Sequence, residues 1–254
     1  MKKYFQNERG NIMLLSVCLM GVLVVMFLML TSFVKAFYIK DKASSAAEQA
    51  SLAATAYVYE KVDGAIGNID GELSKPEEAE VEAGITEPEA AAEAVEPAEA
   101  VSVEVDIIPG KKSLREQIDE RTKEILDESS KYTPNEARIE AVDEVLSDEL
   151  TANNGIRKRT VEAELENALT SEETVNGLLQ TVSDVIEENG GKPDSSAIRY
   201  FNEENRIEIK TASTYKPAIF ENLFPEDGME VKQKGEGPKV KFIKYLSGFS
   251  SREY

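Results

Sequence analysis

Apolar side chains run from Ile12 to Val34, and no charged residue lies between Arg9 and Lys35. At about 1.5 Å per residue, a helix of that length reaches across a hydrocarbon core of about 30 Å. The pattern predicts a membrane-spanning helix that stays in the mature chain. A removable secretory signal has an apolar core of roughly 7–15 residues with a small-residue cleavage site close behind it, and Lys35 to Lys42 offers no such site. A cleaved signal and a buried helix of a soluble protein are the competing readings.

Beyond the span the sequence continues without Gly or Pro until Gly64, and alanine, the best helix former, dominates it. The membrane helix is therefore expected to run on. Ala43, Ala46, Ala47, Ala50, Ala53, Ala54 and Tyr57 follow the three-and-four spacing of one helix face, with Asp41, Glu48 and Thr55 off it. Small side chains allow close approach, either to other chains or to this chain's own domain; both readings stay open. From Gly71 to Asp106 the pattern is lost. Twelve acids face Lys75 alone, and Pro76, Pro88 and Pro97 interrupt any helix. Such a segment repels itself and is expected to be a disordered linker. The stretch Gly67 to Glu72 faintly resembles a calcium loop but lacks its first acid and its later Glu, and is counted as linker.

Helical patterning returns at Ser113 to Ser129, where Leu114, Ile118 and Ile125 form a sparse stripe. Thr133, Pro134 and Glu136 form a capping box with Pro at the first helical position, opening a helix toward Leu150. Asn153, Asn154 and Gly155 break it. Two further helices are expected over Lys158 to Leu169 and Glu172 to Glu188, the second opened by Thr170 and Glu173 and stopped at Gly190 and Gly191. The period then becomes two. Ala197 to Phe201 and Arg206 to Tyr215 read as strands, and Met229 to Lys234 with Lys239 to Tyr245 as a further pair turning around Gly235, Gly237 and Pro238.

The expected fold class is α+β: a long N-terminal transmembrane helix continuing into an amphipathic helix, then the acidic linker, then helices packed on a small antiparallel sheet. The expected domains are a cytoplasmic stub over 1–10, the transmembrane and alanine-rich helix over 11–63, the linker over 64–110 and an extracytoplasmic α+β domain over 111–254.

Charge narrows the partners. The chain carries 48 acids against 29 bases. A surface so acidic repels phosphate, so no nucleic-acid partner is expected. The single cysteine, Cys18, lies inside the apolar run, and Val17 before it stands where a lipoprotein signal needs a small residue. Chemistry is narrowed as well. There is no histidine, which removes the usual general base and zinc ligand, and the phosphate-binding and nucleophile-elbow motifs are missing. We therefore expect no catalytic residues, no cofactor, no metal and no enzyme activity. A carboxylate pair acting as a hydrolase is the remaining catalytic rival.

The order of a charged stub ending in Glu8, Arg9 and Gly10, an apolar helix starting at once, and then Ala46, Ala47, Glu48, Ala50, Leu52, Ala53 and Ala54 resembles the amino-terminal segment of the TadE/TadG-like pilus-assembly proteins. These are the pseudopilins and minor components of tight-adherence (Flp) pili. The resemblance covers about 50 residues; Glu48 stands where the family has Asp, and the strand-and-aromatic run near Arg206 to Phe224 is similar more weakly. It implies a non-enzymatic, single-pass plasma-membrane protein with the N-terminus cytoplasmic and the C-terminal domain outside. Its implied partners are other pilus or secretion-platform proteins, in a homo- or hetero-oligomer through the N-terminal helix. Gly10 and Asn11 are the candidate processing site. A cut there would make Leu15 the fifth residue, where processed pilins carry Glu, so the stub is expected to be kept as in TadG-like members. The alternative is a membrane-anchored extracellular binding module unrelated to pili.

Overall fold

The computed structural model describes residues 8–73, 112–152, 155–217, 228–247 and 252–254. The first part of the stub, most of the expected linker and the run from Ala218 to Asp227 lie outside the described residues.

One helix, α1 (Glu8–Leu73), carries both the apolar run and the alanine-rich stem. Nothing in residues 11–63 breaks it. It passes the expected end at Asp63 and continues through Gly64 and Gly67, because Val62, Ala65, Ile66 and Ile69 keep a buried stripe there that outweighs the poor propensity of two glycines. Four shorter helices follow: α2 (Leu114–Glu128), α3 (Pro134–Thr151), α4 (Gly155–Thr170) and α5 (Glu172–Glu188). Capping boxes at Ser113 with Glu116 and at Thr133 with Glu136 open the first two. At α5 the cap is Ser171 rather than Thr170; its hydroxyl accepts from the Thr174 N–H at 3.3 Å. The two hydroxyl residues are adjacent, and the one whose backbone is extended takes the role.

The sheet is antiparallel, in the order β3-β2-β1-β4. Its strands are β1 (Lys192–Tyr200), β2 (Arg206–Tyr215), β3 (Met229–Lys239) and the two-residue β4 (Arg252–Glu253). The sequence places β2 where it is found. It misses the first half of β1, where Pro193 and three polar residues mask an edge strand paired to β2 through a bulge. The expected hairpin around Gly235 is also absent. β3 continues to Lys239, and the following Phe242–Tyr245 is a single 3-10 turn whose Phe242 and Ile243 are buried. Those glycines serve a close contact, described below, instead of a turn.

The stem of α1 is the spine of the core. Its stripe from Ala50 to Ile69 packs with Leu114, Ile118, Leu146, Leu165, Leu178 and the sheet residues Ile207 and Ile209. The sheet therefore lies on α1, with α5 beside it. The acidic segment joins two helices of one core. Asp70, near the end of α1, accepts from the N–H of Leu114 at 2.7 Å and of Arg115 at 3.1 Å, so the last turn of α1 caps the first turn of α2. Arg138 of α3 adds a 2.6 Å ion pair to Asp63. The described residues on either side of the acidic segment thus meet in one core, which itself packs on the stem of α1.

Candidate functional site

The candidate functional surface is α1, which divides into three parts. The lower face is all round: over Ile12–Leu30 every described side chain is exposed, Leu, Val, Met and Phe included. No soluble protein leaves such a length of apolar helix in water, because each buried methylene is worth about 0.8 kcal/mol. The helix is long and apolar enough to cross a membrane.

The second face is the alanine stripe. Ala43, Ala46, Ala47, Ala50 and Ala54 are completely buried, while Ala53 and Tyr57 are partly so. What covers them is this chain's own sheet. A side chain at Gly235 of β3 would stand 2.5 Å from the Ala47 carbonyl oxygen and the Glu48 nitrogen, and one at Gly237 would stand 2.8 Å from the Ser51 carbonyl oxygen. Strand and helix backbones thus touch with only hydrogen atoms between them. Gly177 of α5 gives the same room to the Tyr57 hydroxyl. Of the two readings left open by the sequence, packing on the chain's own domain is the one observed. Gly235 and Gly237 are the residues sequence reasoning missed. Their signal was present: two glycines two apart in an alternating strand lie on one face and mark a close backbone approach.

The third face is the ridge opposite the sheet. Asp41, Glu48, Gln49, Leu52, Ala56 and Glu60 are exposed along it, Leu52 at 53%. Lower down, Phe37 and Tyr38 are 70% and 63% exposed, just above the apolar run. The candidate processing residues Gly10 and Asn11 lie in the first turn of α1.

Residues 10–56 match the family model described as putative Flp pilus-assembly TadE/G-like. This segment is similar to the TadE/G-like family. Neither a curated protein nor a solved structure matches the chain. The TadE/G-like segment covers the whole apolar run and the alanine stripe as far as Ala56, and suggests involvement in Flp pilus assembly. Its positions separate by role: Ala46, Ala47, Ala50 and Ala54 are in the core, whereas Glu48 and Leu52 face out.

Two features elsewhere were weighed as sites. Asp143 of α3 is buried, and its Oδ1 accepts from the Lys241 N–H at 3.0 Å, closing α3 onto the 3-10 turn. Burial pushes its carboxyl up to about 6, against the stabilising backbone N–H of Lys241. The buried hydroxyl of Tyr59 lies beside it, and Lys241 also pairs with Glu140. The group ties α3 to the 3-10 turn and acts as a structural clasp. The second is an open depression of about 470 Å³ lined by Arg199, Phe201, Asn202, Asn205 and Lys244 at the far end of the sheet. Among the described residues no group of three or more Asp, Glu or Cys side chains is placed to hold a metal ion.

Proposed function

We propose that the protein is a non-enzymatic, single-pass membrane component of a tight-adherence (Flp-type) pilus or related secretion assembly, acting as a minor pilin-like or assembly protein. The observation that carries this reading is one helix holding an exposed apolar span and a TadE/G-like stem in unbroken succession. The N-terminus is cytoplasmic, the stub is retained with Gly10 and Asn11 uncut, and the α+β domain lies outside the plasma membrane. Because the alanine stripe is filled by the chain's own sheet, partners meet the span, where Ser16, Cys18 and Gly21 offer close approach, and the ridge of Asp41, Glu48 and Leu52. Oligomers, of this chain or with platform proteins, form through these surfaces.

Cross-linking in cells that assemble such pili tests the reading. With Cys18 changed to Ser, a photo-cross-linker on Leu52→Cys is expected to give an adduct with a pilus or platform protein, and one on Asp184→Cys of α5 is expected to give none. Pili that assemble normally without the protein, together with no adduct from Leu52, would overturn it. The depression at Arg199 and Lys244 favours the second reading, a membrane-anchored binding module. In that case Lys244→Glu would abolish the phenotype while Leu52→Asp left it untouched.

A further inference from the structure

Tyr215, the last residue of β2, reaches the span. Its hydroxyl donates to the Ser32 carbonyl oxygen at 3.3 Å, and Ser32 lies two residues inside the upper end of the apolar run. Tyr215 pairs in register with Met229, the first residue of β3, so both strands of that hairpin end at the height of Ser32. Met229 is 42% exposed there, and Lys216 next to Tyr215 is exposed. Phe37 and Tyr38 of α1 mark the level just above. A tyrosine whose hydroxyl meets a span at its last turn, with lysines beside it at 35 and 216, is the composition of a membrane–water boundary. Pro217 after β2 and Gly228 before β3 both lie at this end.

We propose that the β2–β3 end of the sheet is a second membrane contact: Tyr215, Lys216 and Met229 sit in the interface of a phospholipid bilayer, and the domain rests on the membrane. The occupant is lipid because the surface continues directly from the span, and because a strand end at the height of Ser32 has the headgroup layer around it. The proposal rests on α1 spanning the bilayer. It assigns the acidic loop no role as a spacer. It also fixes the rotation of the stem, since the ridge of Leu52 then points away from the lipid-bound edge of the sheet.

Depth-dependent quenching tests it on the full chain in proteoliposomes. In the Cys18→Ser background, single cysteines at Met229, Lys216, Tyr38, Leu23 and Glu203 carry an environment-sensitive fluorophore, and the vesicles hold lipids spin-labelled at the headgroup or deep in the acyl chain. Met229→Cys and Lys216→Cys are expected to lose emission to the headgroup label as Tyr38→Cys does, while Glu203→Cys at the far turn loses none. If Leu23→Cys is quenched by the deep label but neither Met229→Cys nor Lys216→Cys is quenched by either, the span stands and the second contact is wrong. If Leu23→Cys is not quenched, the span itself is wrong and the proposal falls with it.

Discussion

Gly235 and Ala47 show how much of this fold rests on absent atoms. The contact between β3 and α1 leaves no room for one methyl group, and the atoms it would meet are helix backbone, which cannot step aside. Gly235→Ala is expected to cost at least about 1–3 kcal/mol, seen as a lowered denaturant midpoint in detergent, whereas Gly64→Ala, with nothing near it, is expected to be neutral or stabilising. Asp143 carries a pH dependence of definite sign. Its carboxyl moves from the ordinary 3.8 to about 6 in the folded chain, so the native state holds the proton more tightly than the unfolded one. Stability from this group is fully present below about pH 4 and is lost as the pH rises through about 6, a swing of roughly 3 kcal/mol. Asp143→Asn keeps an oxygen to accept from Lys241 but cannot ionise. The stability difference, variant minus wild type, is therefore expected to be more positive at pH 7 than at pH 4; an equal difference at both would show that the Asp143 carboxyl keeps its ordinary value in the folded chain.

At the scale of elements, α1 and the capped helices were legible because their signals are local. An uncharged run, an alanine-rich continuation and Thr-Pro-x-Glu each act within a turn or two of chain. The elements misread are those whose reason lies far away in sequence. Ile66 and Ile69 hold the helix past two glycines because α2 and its neighbours cover them, and β3 ignores its glycines because Ala47 lies against them. The Asp70 bond to Leu114 yields a prediction of its own. The two residues are 44 apart in sequence but hydrogen-bonded, so replacing 74–111 by about eight Gly and Ser residues shortens a loop without stretching anything. Loop-closure entropy then favours the folded state by about 1 kcal/mol. Thermal unfolding in detergent should show a small rise for this variant; a collapse of the fold would mean that the segment contributes contacts of its own.

The whole molecule is a helix long and apolar enough to cross a membrane that becomes, without a joint, the central strut of an α+β domain. Membrane attachment and domain stability therefore share one element. Two acids at mid-span, Leu19→Asp with Leu23→Asp, each cost roughly 2.5–3.5 kcal/mol in the bilayer. That variant is expected to leave the alkaline-washed membrane pellet for the soluble or aggregated fraction, while wild type stays in the pellet. Ala47→Leu should do the reverse, keeping the pellet but exposing the domain to protease, because it pushes the sheet off the stem.

By itself the sequence determined that a helix of membrane length lies near the N-terminus, that it continues into a stem of small residues, and that helices precede strands, because periodicity and capping are read over neighbouring residues. Only the tertiary structure decided which surface those small residues grip, that the residues flanking the acidic segment meet in one core, and that the sheet ends at the height of Ser32. Those three outcomes depend on contacts between residues 44 to 188 positions apart, and a short repeat in the chain carries no information about what stands opposite it.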